Sequence, residues 1–219
     1  MKVSEAPSKR PYRMQARAEA AAATGERILD AAVAVFWQRP VDDIPLEEVA
    51  RRAGVSLQTV IRRFGGKQGL FAAAAQRETE RVRRQRDQAP VGDVRRAVRN
   101  LLDHYEELGV PVLRLLAQED RSPALRALAD QGRAYHAAWC ERVFAPALAG
   151  LRGAEQARRL AQLIAVTDVL TWKLLRRDRH LSRRQTELAL IELLQPLTGG
   201  SRWPGSWPTP RPPAGTCSP

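Results

Sequence analysis

Gln58, Thr59, Arg62, Arg63 and Lys67 carry the most suggestive chemistry in this sequence. All are hydrogen-bond donors, and Arg62, Arg63 and Lys67 are cationic. Donors of this kind suit phosphate oxygens and the acceptor-rich edges of base pairs. No catalytic set competes with them. His104, His136 and His180 have no metal-ligand spacing to one another or to Cys140 and Cys217. A nucleophile elbow and a glycine-rich phosphate loop are both missing from the sequence. The expectation is therefore a protein that is not an enzyme and uses no metal and no cofactor.

Those donors need a rigid support, and residues 46–64, LEEVARRAGVSLQTVIRRF, can supply one. Leu46, Val49, Ala50 and Ala53 recur at helical spacing on one face. Ala50 is small where another helix must approach. Gly54 can adopt the left-handed conformation that ends a helix, and Val55 fills the corner. Ser56 can cap a second helix. Val60 and Phe64 point inward from that helix, leaving Leu57, Gln58, Thr59, Ile61, Arg62 and Arg63 outside. A helix–turn–helix has this buried seam and polar, basic second helix. An ordinary helical hairpin with a solvated basic face is the alternative.

The totals agree with a helical polyanion binder without deciding for one. The chain has 219 residues, 44% hydrophobic but only 5% aromatic, with a net charge of +12. Its apolar content is mostly Ala and Leu, which are strong helix formers. A sequence pI of about 11.0 favours nucleic acid or an acidic membrane surface. An arginine-rich solvated surface fits equally. No apolar run approaches the roughly 18 residues of a membrane span, and the N-terminus lacks a secretory core. A cytoplasmic protein is the default expectation.

In chain order, residues 1–23 carry Lys2, Lys9, Arg10, Arg13 and Arg17 and are expected to be a disordered arm, whose end from Ala18 to Ala23 can extend the first helix. Such an arm can follow phosphates or enter a minor groove, or it can be a plain solvated tail. A helix is expected from Thr24, with Thr24 as cap and Ile28, Leu29, Ala32, Val35 and Phe36 as its apolar stripe. Pro45 stands where helices start. After the helix–turn–helix, Gly65 and Gly66 break the chain. Lys67 opens a further helix to about Arg84, where lysine and free backbone N–H groups can hold a phosphate.

The run from Thr24 to Phe71 resembles the DNA-binding domain of TetR-type (TetR/AcrR) transcriptional regulators. The matching pieces are TGERILDAAVAVF, LEEVARRAGVSLQTVIRRF and GGKQGLF. The resemblance implies an all-α fold. An N-terminal three-helix DNA-binding domain with a helix–turn–helix is followed by a helical-bundle ligand-binding and dimerisation domain. It also implies that Thr59 and Lys67 bind phosphates while Leu57, Gln58 and Arg62 face bases. Two positions depart from the family: Ile61 stands where a tyrosine is usual and Arg63 where a histidine is common. Ile61 forgoes the tyrosine's phosphate bond but can meet a thymine methyl. Arg63 keeps a phosphate donor and adds charge.

The domains expected are thus an arm at 1–23, a DNA-binding domain at 24–75, a regulatory and dimerisation domain at 76–198, and a Pro/Gly-rich tail at 199–219. Residues 85–92 also read as a boundary. Within 93–198, Val94, Ala97, Val98, Leu101, Leu102 and Tyr105 form a stripe that Gly109 and Pro111 interrupt. Residues 124–144 and 154–177 read as long helices and 182–197 as the last. Ser122 is a good cap. The tail is expected to be disordered, with Trp203 and Trp207 unexplained.

The last two helices also look like the family's C-terminal pair, which packs with its mate into a four-helix dimer interface. Ile164, Asp168, Trp172, Leu188, Ile191 and Leu194 are the expected interface, because a helix apolar nearly all round is buried on more than one side. By the same resemblance, His104, Tyr105, Tyr135, Trp139, Thr171 and Trp172, with Thr167 and Asp168, are candidates to line a pocket for an apolar small molecule. Asp168 either meets a ligand or pairs with an arginine across the dimer.

The function expected is a sequence-specific homodimeric repressor that a ligand releases from a palindromic double-stranded operator. The alternatives are a nonspecific basic DNA-associated protein and a helical enzyme or carrier with a basic surface.

Overall fold

The computed structural model describes residues 9–39 and 43–199, with side chains from Met14 onward. Residues 1–8, the linker residues Pro40, Val41 and Asp42, and the tail with Trp203, Trp207 and Cys217 lie outside the described residues. Helices account for most of the rest, and no strand occurs among the described residues. The chain divides into two compact units between Asp87 and Gln88. That division falls later than the expected boundary after residue 75, because the fourth helix runs unbroken to Arg86.

The first unit holds α1 (Lys9–Phe36), α2 (Leu46–Ala53), α3 (Leu57–Phe64) and α4 (Lys67–Arg86). Ile28, Leu29, Ala32 and Val35 from α1 meet Val49, Ala50 and Ala53 from α2, Val60 from α3, and Leu70 and Ala74 from α4. Ala50 and Ala53 are the small residues that let α1 and α2 approach. Phe36 and Phe71 pack edge-to-face, with ring centroids 5.1 Å apart. Arg77 of α4 bonds Glu26 at 3.1 Å and Asp30 at 2.9 Å, tying α4 to α1.

α1 corrects one expectation. The arm expected to be disordered through residue 23 is helical from Lys9, and Thr24 lies inside the helix. The Thr24 hydroxyl donates back to the Ala20 carbonyl at 2.8 Å instead of capping a new start. Ala16, Ala18 and the alanine run at 20–23 explain this. They favour helix intrinsically and extend one already nucleated on the core.

The second unit holds α5 (Val94–Leu116), α6 (Pro123–Val143), the short α7 (Ala145–Leu148), α8 (Gly153–Thr167), the short α9 (Val169–Trp172) and α10 (Arg183–Thr198). Its core joins Ala97, Val98, Leu101, Leu102 and Tyr105 to Trp139, Cys140, Val143, Phe144, Leu163, Val169, Trp172, Leu190 and Leu194. Ser122 caps α6 by accepting from Leu125 N–H at 3.2 Å. Ser182 and Gln185 form a full capping box at α10.

Two helices differ from expectation. Gly109 and Pro111 do not interrupt α5. Gly109 is needed because a Cβ there would overlap the Trp172 ring. Residues 154–177 do not form one helix. Asp168 is extended, with φ −72° and ψ 153°, and separates α8 from α9. Beyond Trp172 the chain widens into a π-helical turn at Lys173–Asp178. No helix among the described residues is long and apolar enough to cross a membrane.

Candidate nucleic-acid interface

The turn between α2 and α3 is built as its residues dictate. Gly54 is left-handed, with φ 65° and ψ 40°, and its N–H bonds back to α2. Ser56 is extended and accepts the Thr59 backbone N–H at 3.2 Å. The Ser56 and Thr59 hydroxyls are also 2.9 Å apart. At the other end, Gly65 is left-handed with φ 74°. Gly69 allows the first turn of α4 to cross the end of α3, since any Cβ there would overlap the Phe64 carbonyl oxygen. α3 is thus held at both ends by backbone geometry that side chains would obstruct.

Only Val60 of α3 is fully buried. Gln58, Arg62 and Arg63 are exposed, and Leu57 and Thr59 are partly covered. Ile61 is 38% exposed on the same outer face. Lys67 is the first residue of α4, preceded by Gly66 at φ 111°. The residues picked from sequence therefore share one short helix and the helix start that follows it. Arg63 differs from the others. Its guanidinium lies over Gly25 of α1, where a Cβ would come within 2.6 Å of Nε. Sequence reading missed Gly69, because nothing local marks a glycine required by the turn before it, and it missed the contact of Gly25 with a helix distant in sequence.

Glu48 of α2 receives hydrogen bonds from Arg39 and, at 2.8 Å, from Arg52. The Arg39 bond does most to hold its carboxyl below the usual range, against an opposing effect of burial. These arginines are committed to the frame of the head.

In the second unit the structure corrects part of the expected interface. Trp172 is 2% exposed and Leu194 fully buried, so both belong to the unit's own core. Asp168 is half-buried and has a bond within its own chain. Its Oδ1 accepts the Leu170 N–H at 2.8 Å and caps α9. Ile164 and Ile191 are half-buried, and Leu188 is 44% exposed. The large apolar side chains facing outward are Leu170, Leu174, Leu188 and Leu193.

Several expected pocket residues do lie together. His104, Tyr105, Trp139 and Trp172 are buried, while Tyr135 and Thr171 are partly covered. Tyr105 contacts both His104 and Trp172, with centroids at 5.2 and 5.8 Å. The Tyr105 hydroxyl donates to the Thr167 carbonyl at 2.9 Å. Sequence reading did not assemble the polar knot beside them. The Thr167 hydroxyl is 3.2 Å from His136 Nε2 and 3.3 Å from Cys140 Sγ, and it donates to the Leu163 carbonyl at 2.7 Å. The i,i+4 spacing of His136 and Cys140 was the only available signal.

Residues 28–74 match the model of the family described as bacterial regulatory proteins, tetR family. An uncharacterized HTH-type transcriptional regulator of Mycobacterium tuberculosis, known from two strains, is 33% identical over 102 residues. That stretch is 47% of this chain and 46% of the relative, so the chain spans about half the length of the relatives it matches. A tetR-family regulator from Streptomyces coelicolor has a similar fold, with a TM-score of 0.61 and 23% identity over 79% of this chain and 81% of that one. A transcriptional regulator from Rhodococcus sp. Rha1 scores 0.62 at 22% identity, over 80% of this chain and 96% of that one. FadR from Bacillus subtilis in complex with stearoyl-CoA scores 0.56 at 15% identity, over 81% and 99% of the two chains. At these identities the solved structures speak to the fold alone. The relatives and the fold are those of transcriptional regulators, not of enzymes. Residues 28–74 thus resemble the DNA-binding head of the tetR family of bacterial regulatory proteins, and the likeness of the whole chain to solved regulators is one of fold.

Proposed function

We propose that the chain is a homodimeric, cytoplasmic repressor that binds a palindromic DNA operator and is released by a small apolar effector. The observation that carries this reading is the exposed face of α3, clamped between the Ser56 cap and the left-handed Gly65. Gln58 and Arg62 suit base edges, and Leu57 and Ile61 suit thymine methyls. Thr59, Arg63 and Lys67 suit phosphates, which fix register without reading sequence.

The outward leucines Leu170, Leu174, Leu188 and Leu193, with Ile191 and Ile164 beside them, support self-association through α8–α10. Exposed apolar surface of this kind marks an interaction site. A two-fold pair of heads reads half-sites about 34 Å apart. His104, Tyr105, Tyr135, Trp139, Thr171 and Trp172 are the proposed effector site, with Tyr105 in contact with His104 and Trp172. A mostly apolar lining with a few placed polar groups is the usual make-up of such sites. FadR from Bacillus subtilis, of similar fold, is in complex with stearoyl-CoA, a ligand with a long apolar acyl chain and a charged headgroup. By linkage, an effector that weakens DNA binding is itself bound more weakly by the DNA complex.

The test is selection of bound fragments from random DNA by the purified chain, with sedimentation of the free protein. An inverted-repeat consensus and a dimer mass are expected. Equal recovery of all sequences would refute the operator reading, and a monomer mass would refute the dimer.

A further inference from the structure

Residues 14–23 of α1 are exposed along their whole length, and the core that α1 joins begins only at Ile28. This stretch makes only local side-chain bonds, such as Gln15 to Glu19 at 3.1 Å and Thr24 to the Ala20 carbonyl. The helix nevertheless runs unbroken from Lys9 into the head. Lys9, Arg10, Arg13 and Arg17 stand in the extension, and Glu19 is the only acid between Lys9 and Gly25. Positions 10, 13 and 17 follow the i, i+3, i+7 spacing of a single helical stripe. At 1.5 Å per residue that stripe is about 10 Å long.

The extension has a defined place in the first unit. It leaves the head at Gly25, the residue over which Arg63 of α3 lies. Arg17 is thus about 12 Å along the helix from Gly25, where Arg63 in the second turn of α3 lies. A basic helix starting beside the DNA-facing helix, exposed from Met14 to Ala23, has charge to match one occupant near it. We propose that residues 9–23 form a second DNA-contacting element, whose arginine stripe lies along the phosphate backbone beside the half-site held by α3. This inference rests on the DNA-binding reading of α3.

Its mode differs from that of a flexible arm. A helix is about 10–12 Å across with side chains, whereas the B-DNA minor groove is about 6 Å wide. The extension therefore cannot thread the minor groove as a helix, and it meets phosphates from outside. Contacts of this type add affinity and salt dependence but no sequence preference.

The test compares the full chain with its Arg10→Gln, Arg13→Gln, Arg17→Gln triple variant on a duplex selected by the chain from a random pool, with long flanks. Both proteins are titrated with salt and footprinted with hydroxyl radicals. A control triple, Arg95→Gln, Arg121→Gln, Arg158→Gln, removes equal charge from exposed sites on the second unit. Each phosphate contact contributes about 0.9 to the salt slope, so the slope is expected to fall by about 2–3. The outer edge of the footprint should retreat, and the ratio of selected to random affinity should hold within about twofold. A fall in slope below about 1, or one equalled by the control triple, would overturn the proposal. A loss confined to vesicles rich in phosphatidylserine would also overturn it and make the partner a membrane surface. If the parent shows no preference for the selected duplex, the operator reading fails. The slope comparison on random DNA still decides the extension by the same threshold.

Discussion

The Arg63 guanidinium lies over Gly25, so α3 meets α1 through a side chain that also stands at the proposed DNA surface. Gly25 is inside a helix, where alanine is intrinsically better by about 0.8–1 kcal/mol. Arg63 is exposed and flexible, so a methyl group at position 25 should push it aside cheaply. Gly25→Ala is therefore expected to raise thermal stability slightly while weakening DNA binding several-fold. Calorimetry paired with a binding titration checks both halves. A destabilised head would show that the Arg63 contact holds the fold together.

Arg62 and Lys67 should separate base reading from phosphate binding. Arg62→Ala is expected to cost about 1–3 kcal/mol on the selected operator and much less on random DNA. Lys67→Ala should weaken both DNAs alike and lower the salt slope by about 1. Fluorescence anisotropy across a salt series measures these quantities together. Exchanged behaviours would reverse the roles assigned to the two residues.

Outward and inward apolar residues of the second unit should respond differently to a charge. Leu188→Glu and Leu193→Glu alter exposed positions and are expected to yield a folded monomer by sedimentation. Trp172→Glu places a carboxylate in the core beside Tyr105 and Gly109. It should unfold the unit, with a loss above about 4 kcal/mol. A dimer that survives both leucine substitutions would place self-association elsewhere.

Glu48 makes a pH-dependent contribution to the head. The bond from Arg39, reinforced by Arg52, holds its folded carboxyl below the unfolded value. The resulting stabilisation is present above the ordinary glutamate range near 4.3 and is lost as pH falls through the lower folded value. Glu48→Gln should therefore be less stable than the parent at neutral pH. The gap should close as acid protonates the parent's carboxylate. Urea melts at several pH values give the comparison, and a constant gap would argue against the ion pair.

The helix–turn–helix was legible because local rules decide it. Gly54, Ser56 and Val60 act through their own backbone and nearest turns, and they sit as their types require. The apolar stripe of α1 was legible for the same reason. Features set by tertiary context were not. Pro111 suggested a break, but the packing of α5 with Trp172 over Gly109 carries the helix through it. Asp168 suggested a buried charge, because the apolar run around it hides the extended residue at its centre. The start of α1 was misread because its basic residues outweighed its alanines in the sequence reading. The outward positions of Leu188 and Leu193, against the inward Leu190 and Leu194, depend on how α10 is rotated in the bundle. A stripe of leucines alone does not give that rotation.

Ile61 has a consequence for the state of the DNA as well as for its sequence. Its side chain sits 38% exposed on the proposed reading face, with no hydrogen-bonding atom to offer. Thymine and 5-methylcytosine carry their methyl groups at the same ring position. An aliphatic contact at that point gains the same apolar area from either. Enzymatic methylation of a cytosine opposite Ile61 would then strengthen binding where a tyrosine–phosphate bond would be indifferent to it. On the proposed reading, the isoleucine would make this head responsive to a covalent mark on its operator.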